Sequence, residues 1–364
     1  MRIAVIGGGN GSLAAAGDFT LAGHTVALWR RGAADVARHH ELADTIVVRD
    51  ASGTREARLA LVTDRIEAAL AGAELILCPL PATTHEDVAA AVAPHLVAGQ
   101  VVFLPPGTLG SLIFARAANE AGTARGVAFA EAGTLPWLVR KHGFAEVVIS
   151  GRATRLPTGV FPLALQDHAI AAIGRAFPGA IEPCGDVVSG ALMNAGPIIH
   201  PPLIVMNAGP LEHFPAWDIH NEGTQPAVRR VTDQLDGERI RLREALGYGA
   251  PHFPLADHYR EDGEEWMYGR KSHRQLTDSG DWREKIDLTG HRYMLEDTRL
   301  GLSLMASLAE LAGIEVPVAR GLMAVGGAIC GEDFASAGRP LSSVGLGGLD
   351  RPALAGFLRH GYEA

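Results

Sequence analysis

The chain opens on Met1-Arg-Ile-Ala-Val-Ile-Gly7-Gly8-Gly9-Asn10-Gly11-Ser12, an apolar run that enters a glycine turn and then an alanine-rich stretch. A strand that ends in such a turn and feeds a helix leaves the helix's first N–H groups unpaired, where they favour a pyrophosphate. In the pattern Gly-x-Gly-x-x-Ser, Gly7 permits the tight turn and Gly9 lets the backbone approach the phosphates. Ser12 stands where the third small residue must pack. Asn10 and Gly11 complete the candidate phosphate-binding set. An ordinary glycine-rich turn carries the same letters. The strand before this one (Arg2–Ile6) and the amphipathic helix after it (Ser12–Leu21) supply the context that makes it a dinucleotide fingerprint.

The expected fold class is α/β: an N-terminal doubly wound Rossmann domain over 1–185, followed by an all-α domain over 186–364. A chain of 364 residues exceeds what one core usually holds. Candidate strands are Arg2–Ile6, Thr25–Trp29, Glu74–Pro79, Gln100–Leu104, Gly126–Ala130 and Glu146–Ser150. Helical patterns at Asp64–Leu70, His85–Val92 and Leu109–Ala121 alternate with them, as in a parallel sheet. Ile46–Arg49 and Ala57–Leu61 form a hairpin inserted in that sheet, and Gly151–Gly159 reads as a loop. From about Asp186 the pattern turns helical: Val187–Ala208, Gln225–Leu246, Arg292–Ala312, Pro317–Cys330 and Pro352–His360. Tyr259–Asp287 is charged, aromatic and aperiodic, which reads as a loop region. A ligand cleft is expected between the two domains.

The net charge of −9 and the absence of a basic run argue against a nucleic-acid partner. No apolar run reads as approaching the roughly 20 residues of a membrane span. The strand at the N-terminus leaves no room for a signal peptide. Cys78, Cys184 and Cys330 lie far apart with no CxxC pair, so the cytoplasm is the expected compartment. Neither His39-His40 nor His252…His258 has ligand spacing with a third partner, so no metal site is expected.

At the end of the second candidate strand, an acidic residue selects NAD and a basic one accommodates the 2′-phosphate of NADP. Here Arg30 holds that place with Arg31 beside it, which predicts NADP as cofactor with NAD as the lesser alternative. Two solvated surface charges are the competing reading. Later strand ends carry Leu80-Pro81-Ala82, Pro105-Pro106-Gly107-Thr108 and Glu131-Ala-Gly133. Pro81, Pro106 and Glu131 are accordingly candidate cofactor contacts. In the helical half, Asn194, His200 and Asn207 punctuate an apolar segment, so they either satisfy one another or face a ligand. Arg292, Glu296 and Asp297 head another apolar stretch. Taken alone, they are equally a surface ion pair with a helix-start carboxylate.

The order of motifs resembles the opine dehydrogenases, the octopine/nopaline dehydrogenase family. The matching stretches are the Gly-Gly-Gly-Asn-Gly turn, Asn194…His200-Pro201…Asn207, Glu222-Gly223-Thr224-Gln225-Pro226 and Asp236-x-Glu238-Arg239. They continue through Arg292-Tyr…Glu296-Asp297 to Gly338-Arg339-Pro340-Leu341…Gly345-Leu-Gly-Gly-Leu349. The resemblance implies joining the amine of an amino acid to a 2-oxo acid and reducing the imine with NAD(P)H. It implies that His200 is the acid–base catalyst and that Asp297 orients it, fixing its tautomer and raising its pKa. Arg292 would hold a substrate carboxylate, with Asn194 and Asn207 as further substrate contacts. The implied partners are small molecules; separately, the apolar faces of Arg292–Ala312 and Pro317–Cys330 read as either a homodimer interface or the domain core. Arg30 departs from the acidic residue of NAD-using relatives. Two other readings stand beside this one. One is a reductase of the ketopantoate or glycerol-3-phosphate type, which places a lysine at its centre, where this half offers Lys271 and Lys285. The other is a coenzyme sensor without catalysis.

Overall fold

Why the N-terminal helix is alanine-rich becomes clear from what lies on either side of it. The structure, a computed structural model, describes every residue except Lys271, Ser279, Asp281 and Ala364. The first half supplies strands β1 (Arg2–Ile6), β2 (Thr25–Trp29), β3 (Thr45–Asp50), β4 (Gly53–Arg58), β5 (Leu61–Thr63) and β6 (Leu75–Leu77). It continues with β7 (Val101–Leu104), β8 (Ala128–Ala132), β9 (Trp137–Gly143), β10 (Glu146–Arg152), β11 (Leu156–Phe161) and β12 (Ile181–Asp186). The larger sheet has the order β12-β11-β8-β7-β6-β1-β2-β5, parallel except for β11 against β8. A second sheet has the order β4-β3-β10-β9.

The helices of this half are α1 (Asn10–Leu21), α2 (Ala33–Glu41), α3 (Ile66–Leu70), α4 (His85–Val92), α5 (Gly110–Glu120), α6 (Gln166–Ala176) and α7 (Val187–Ala191). Helix α1 packs against strands of both sheets, so Gly11–Gly17 and Phe19 are all buried. The expected amphipathic helix is therefore apolar nearly all round, as a doubly covered helix must be. A Cβ on Gly17 would press to 2.5 Å from Val48 Cγ2, and Asp18 ties the second sheet down through Trp137 Nε1 (2.8 Å) and Arg152 (2.8 and 2.9 Å).

Three further expectations are corrected. The inserted hairpin is real but belongs to the second sheet, where β9 and β10 extend it, and Leu61–Thr63 leaves it to pair with β2. Gly151–Gly159 is not a loop throughout, because β11 begins at Leu156 and is buried along its length. Pro157 and Gly159 disguise the strand, and Gly159 is needed where α7 approaches: a Cβ there would collide with Asp186 O. The segment Val187–Met206 is also long and apolar enough to cross a membrane by length and composition, contrary to the expectation that no run approaches that length. Its most apolar window is 83% buried inside the fold, as a core helix would be.

The chain divides into two compact units. One holds Met1–Leu80, Thr84–Ala191 and the residues from Phe357 onward; the other holds Pro81–Thr83 and Leu192–Gly356. The second unit contains α8 (Gly196–Met206), α9 (Ala208–His213), α10 (Pro226–Ala245), α11 (Ala256–Tyr259), α12 (Ser272–Asp278), α13 (Leu302–Ala312), α14 (Pro317–Cys330) and α15 (Phe334–Ala337). Helix α16 (Arg351–His360) starts in this unit and ends in the first. The long helix expected over Val187–Ala208 is broken at 192–195, and Pro197 starts α8. Pro201 and Pro202 withdraw two backbone donors inside α8. Burial of Ile198, Leu203 and Ile204 holds the helix in their place, each worth about 1.5–3 kcal/mol.

The Asp236-x-Glu238-Arg239 motif is scaffold. Asp236 pairs with Arg239 at 2.7 Å and accepts from Leu255 N, while Arg239 also donates to Leu192 O and His252 O. Glu238 accepts from Val318 N (2.8 Å) and Ala319 N (2.9 Å) in the first turn of α14. Glu238→Ala strips both acceptors from buried donors and is expected to cost about 1–3 kcal/mol in urea unfolding. Glu238→Gln, which keeps an acceptor, recovers part of that loss.

Candidate active site

In the first unit, the glycine turn is built as the fingerprint requires. Gly7 has φ +108, and a Cβ on it would lie 2.7 Å from Leu80 and 2.8 Å from Ser12 Oγ. Ser12 is buried and its hydroxyl donates to Ile6 O at 3.0 Å, stitching the helix start to the strand end. Gly9 precedes α1 as its N-cap, and a Cβ there would meet open space. Backbone donors and open space coincide at Gly9, so the turn fits a pyrophosphate.

Arg30 reaches back over this turn. A Cβ on Gly8 would collide with its guanidinium. Arg30 Nη2 pairs with Asp35 at 2.5 Å, while Nη1 is buried without a hydrogen-bond partner. Lys141 Nζ donates to Gly8 O at 3.3 Å, and Arg38 lies 4.2 Å over the Phe144 ring. Burial and the Arg30 charge push His39 down to about 4. Three cations against one carboxylate make this end of the turn complementary to a phosphate monoester.

Several other candidates have different work. Arg31 is solvent-exposed and only loosely paired with Asp87, at 3.8 Å. Gly11 is a packing glycine, since a Cβ would lie 2.8 Å from Leu135 and 3.1 Å from Pro79. Asn10 Oδ1 accepts from Lys141 N at 2.9 Å and so anchors β9. Glu131 is fully buried; it accepts from Leu109 N at 2.9 Å and from Ser111 Oγ, clamping the start of α5 instead of meeting a ligand. Pro106 keeps its place in the loop after β7, and Pro81 groups with the helical unit.

In the second unit, residues Tyr293–Gly301 form a π-helix that runs into α13. Such wide turns concentrate at functional sites. Thr298 Oγ1 donates to Tyr293 O at 2.7 Å across this turn. From it, Asp297 Oδ2 meets His200 Nδ1 of α8 at 2.7 Å, with 13% and 14% of the two side chains exposed. Gly196 permits the approach, because a Cβ there would strike Asp297 Oδ1. Burial raises the Asp297 carboxyl to about 7, with the Arg292 charge opposing. Burial and then Arg292 push the His200 imidazole well below its usual range, so the net shift is opposite to the expected rise and outweighs what the Asp297 hydrogen bond contributes.

Arg292 and Glu296 are not the ion pair their spacing suggested. Among the described residues, Arg292 has no carboxylate within 4 Å; its guanidinium lies 5.4 Å from the centroid of the Tyr293 ring, beside the dyad. Glu296 instead accepts from Ala82 N at 3.0 Å, and Arg339 donates to Ala82 O at 2.7 Å. Burial and the Asp297 charge push Glu296 up to about 7.

The two asparagines are corrected from substrate contacts to scaffold. Asn207 donates to Leu203 O and Gly223 O and accepts from Trp217 Nε1. Asn194 is 4% exposed, and its Oδ1 accepts from Gly196 N at the start of α8. Lys285 Nζ caps α9 through Leu211 O, Glu212 O and Phe214 O, which removes it from any catalytic role; Lys271 lies outside the described residues. Sequence reasoning missed Lys141, Arg38, Tyr293 and His220. Tyr293 was signalled only by its place between Arg292 and the Glu296-Asp297 pair.

A glycine-turn nucleotide domain, with a histidine–aspartate dyad and an arginine beside it in a helical unit, fits an NAD(P)-dependent dehydrogenase. Residues 183–330 match the alpha-helical domain of the NAD/NADP octopine/nopaline dehydrogenases. The chain is 27% identical over 358 residues to an opine dehydrogenase of Arthrobacter sp. (strain 1C), covering 95% of each chain. Octopine dehydrogenase solved with NADH and agmatine superposes with a TM-score of 0.73 at 18% identity, covering 98% of each chain. Yersinopine dehydrogenase with NADP+ bound gives 0.65 at 16% identity, covering 98% of this chain and 97% of that one. Over its helical half the chain matches the octopine/nopaline dehydrogenase family, and over nearly its whole length it is similar to opine dehydrogenases.

Proposed function

We infer that the protein condenses the amine of an amino acid with a 2-oxo acid and reduces the resulting imine with NAD(P)H, preferring NADPH. The observation that carries this reading is the His200–Asp297 dyad at 2.7 Å with the guanidinium of Arg292 close enough for its charge to act on both. Held at the Gly7–Ser12 turn, the reduced coenzyme would supply the hydride to the carbon of the N-protonated imine, whose nitrogen then becomes a secondary amine. Arg292 grips the carboxylate of the 2-oxo acid in a two-point hydrogen bond, which fixes the carbonyl's orientation. His200 Nδ1 is taken by Asp297, so Nε2 is the nitrogen that meets the carbonyl oxygen. A proton held there polarises the carbonyl for amine attack and leaves with the carbinolamine oxygen as water. On opine oxidation the same nitrogen takes a proton back.

The test is NADPH oxidation with a panel of 2-oxo acids, each with and without a panel of amino acids. Oxidation that needs both substrates is the expected result, and the best pair names the product. Oxidation with the 2-oxo acid alone would make the protein a simple reductase. Arg292→Ala is expected to raise KM for the 2-oxo acid about 10–100-fold, the scale of a charge-assisted pair, with coenzyme KM unchanged. An unchanged KM for the 2-oxo acid would assign the carboxylate to another cation. Arg299 is a poor candidate for that role, since it already pairs with Glu332 at 3.2 Å.

A further inference from the structure

The face of the His200 ring is covered as closely as its edge. Tyr293 stacks on it with ring centroids 3.6 Å apart and planes 12° apart. Tyr293 is 1% exposed, and its hydroxyl lies 3.0 Å from His220 Nε2. His220 is itself 6% exposed; Asp218 Oδ1 accepts from its backbone N, and Trp282 packs edge-on at 5.0 Å. The tyrosine is thus fixed at both ends, by the π-helix that carries it and by the histidine at its hydroxyl.

We propose that Tyr293 is a positioning residue for the acid–base histidine, holding the plane of His200 and stabilising its protonated form through the electron-rich face of the phenol ring. The proposal rests on the reading of His200 as the group that carries the proton. An aromatic face attracts a cation, most strongly where water is excluded. The site otherwise works against an imidazolium: burial and the Arg292 charge both disfavour it. The groups that bear on His200 are Asp297 and Arg292, Tyr293 on its face, and the His220 ring at 5.9 Å. Helices α9, α10 and α14 also pack on α8, and among the described residues none of them brings a charge that registers on the imidazole. Of these groups, Asp297 and Tyr293 favour the protonated ring. Asp297 acts through Nδ1 and Tyr293 through the π face, so the two effects are separable by substitution.

The experiment is the pH profile of kcat/KM for reductive condensation in wild type, His200→Ala, Tyr293→Phe and Tyr293→pentafluorophenylalanine. Fluorination removes the negative ring face while keeping an aromatic ring of nearly the same size, so folding is preserved where Tyr293→Leu risks losing it. Tyr293→Phe is expected to leave the alkaline limb within about 0.3 pH unit. The fluorinated ring moves that limb to lower pH by about one unit, the size of a desolvated cation–π contact. A purely structural role predicts the same limb for both rings, and that result overturns the proposal. A limb that survives in His200→Ala overturns the proposal and the reading beneath it together, so the two failures are told apart.

Discussion

Replacing His200 by alanine is expected to lower kcat by about 10²–10⁴, the usual scale for losing a positioned acid–base group, while coenzyme affinity stays within about twofold. Folding should survive, because the partner left behind is a carboxyl that burial already pushes up to about 7 and so is easily held neutral. The pH profile carries the same information. In the native site the raised carboxyl and lowered imidazole share one proton up to neutrality, whichever residue holds it. Reductive condensation needs that proton, so its rate falls as pH rises through about 7; opine oxidation needs its absence and rises over the same interval. Stability changes little between the two unfolded pKa values. In that window the unfolded chain also holds one proton, on histidine, while the native pair holds one on the dyad. Steady-state rates in both directions across this range check the claim. Near-normal turnover of His200→Ala would remove the residue from the mechanism.

The glycine turn was legible in the sequence because each of its constraints acts within a few residues: the turn at Gly7, the packing of Ser12 and the opening of α1. His200, Asp297 and Arg292 came from motif order, since nothing local shows that residues 97 positions apart share a hydrogen bond. What the sequence hid was tertiary in origin. Asn194 and Asn207 look like ligand contacts in an apolar run until their amides are seen closing the ends of α8. Glu131 looks like a strand-end contact until α5 is seen folded onto its carboxylate. The strand β11 was masked by Pro157 and Gly159, which suit a fully buried strand with α7 pressed on it. The π-helix left no trace either: Arg292 and Glu296 at four-residue spacing suggest an α-helical ion pair, and the wider turn sends each to a different task.

Arg30→Ala is expected to lower kcat/KM for NADPH by about 10–150-fold, the worth of hydrogen bonds to a charged phosphate, and to leave NADH within about threefold. Arg30→Asp should go further and reverse the preference, because a carboxylate there repels the 2′-phosphate and accepts from a ribose hydroxyl. The structure explains why the loss should be selective. Arg30 Nη1 is buried without a hydrogen-bond partner among the described residues, so it adds no hydrogen bond to the fold and leaves a donor to be satisfied. Among the described residues it forms an ion pair with Asp35 alone, whose side chain is 47% exposed, and a pair of that kind is worth little to stability. Lys141 and Arg38 remain in the variant, so a residual preference for NADPH is expected, not its abolition. Raising ionic strength should erode that residual preference faster than NADH turnover, because exposed charges are screened and the ribose contacts are not. If both coenzymes lose equally, Arg30 holds the glycine turn in shape through its seat on Gly8 and does not read the phosphate. If wild type already uses NADH as well as NADPH, the cation cluster serves some purpose other than selecting the coenzyme.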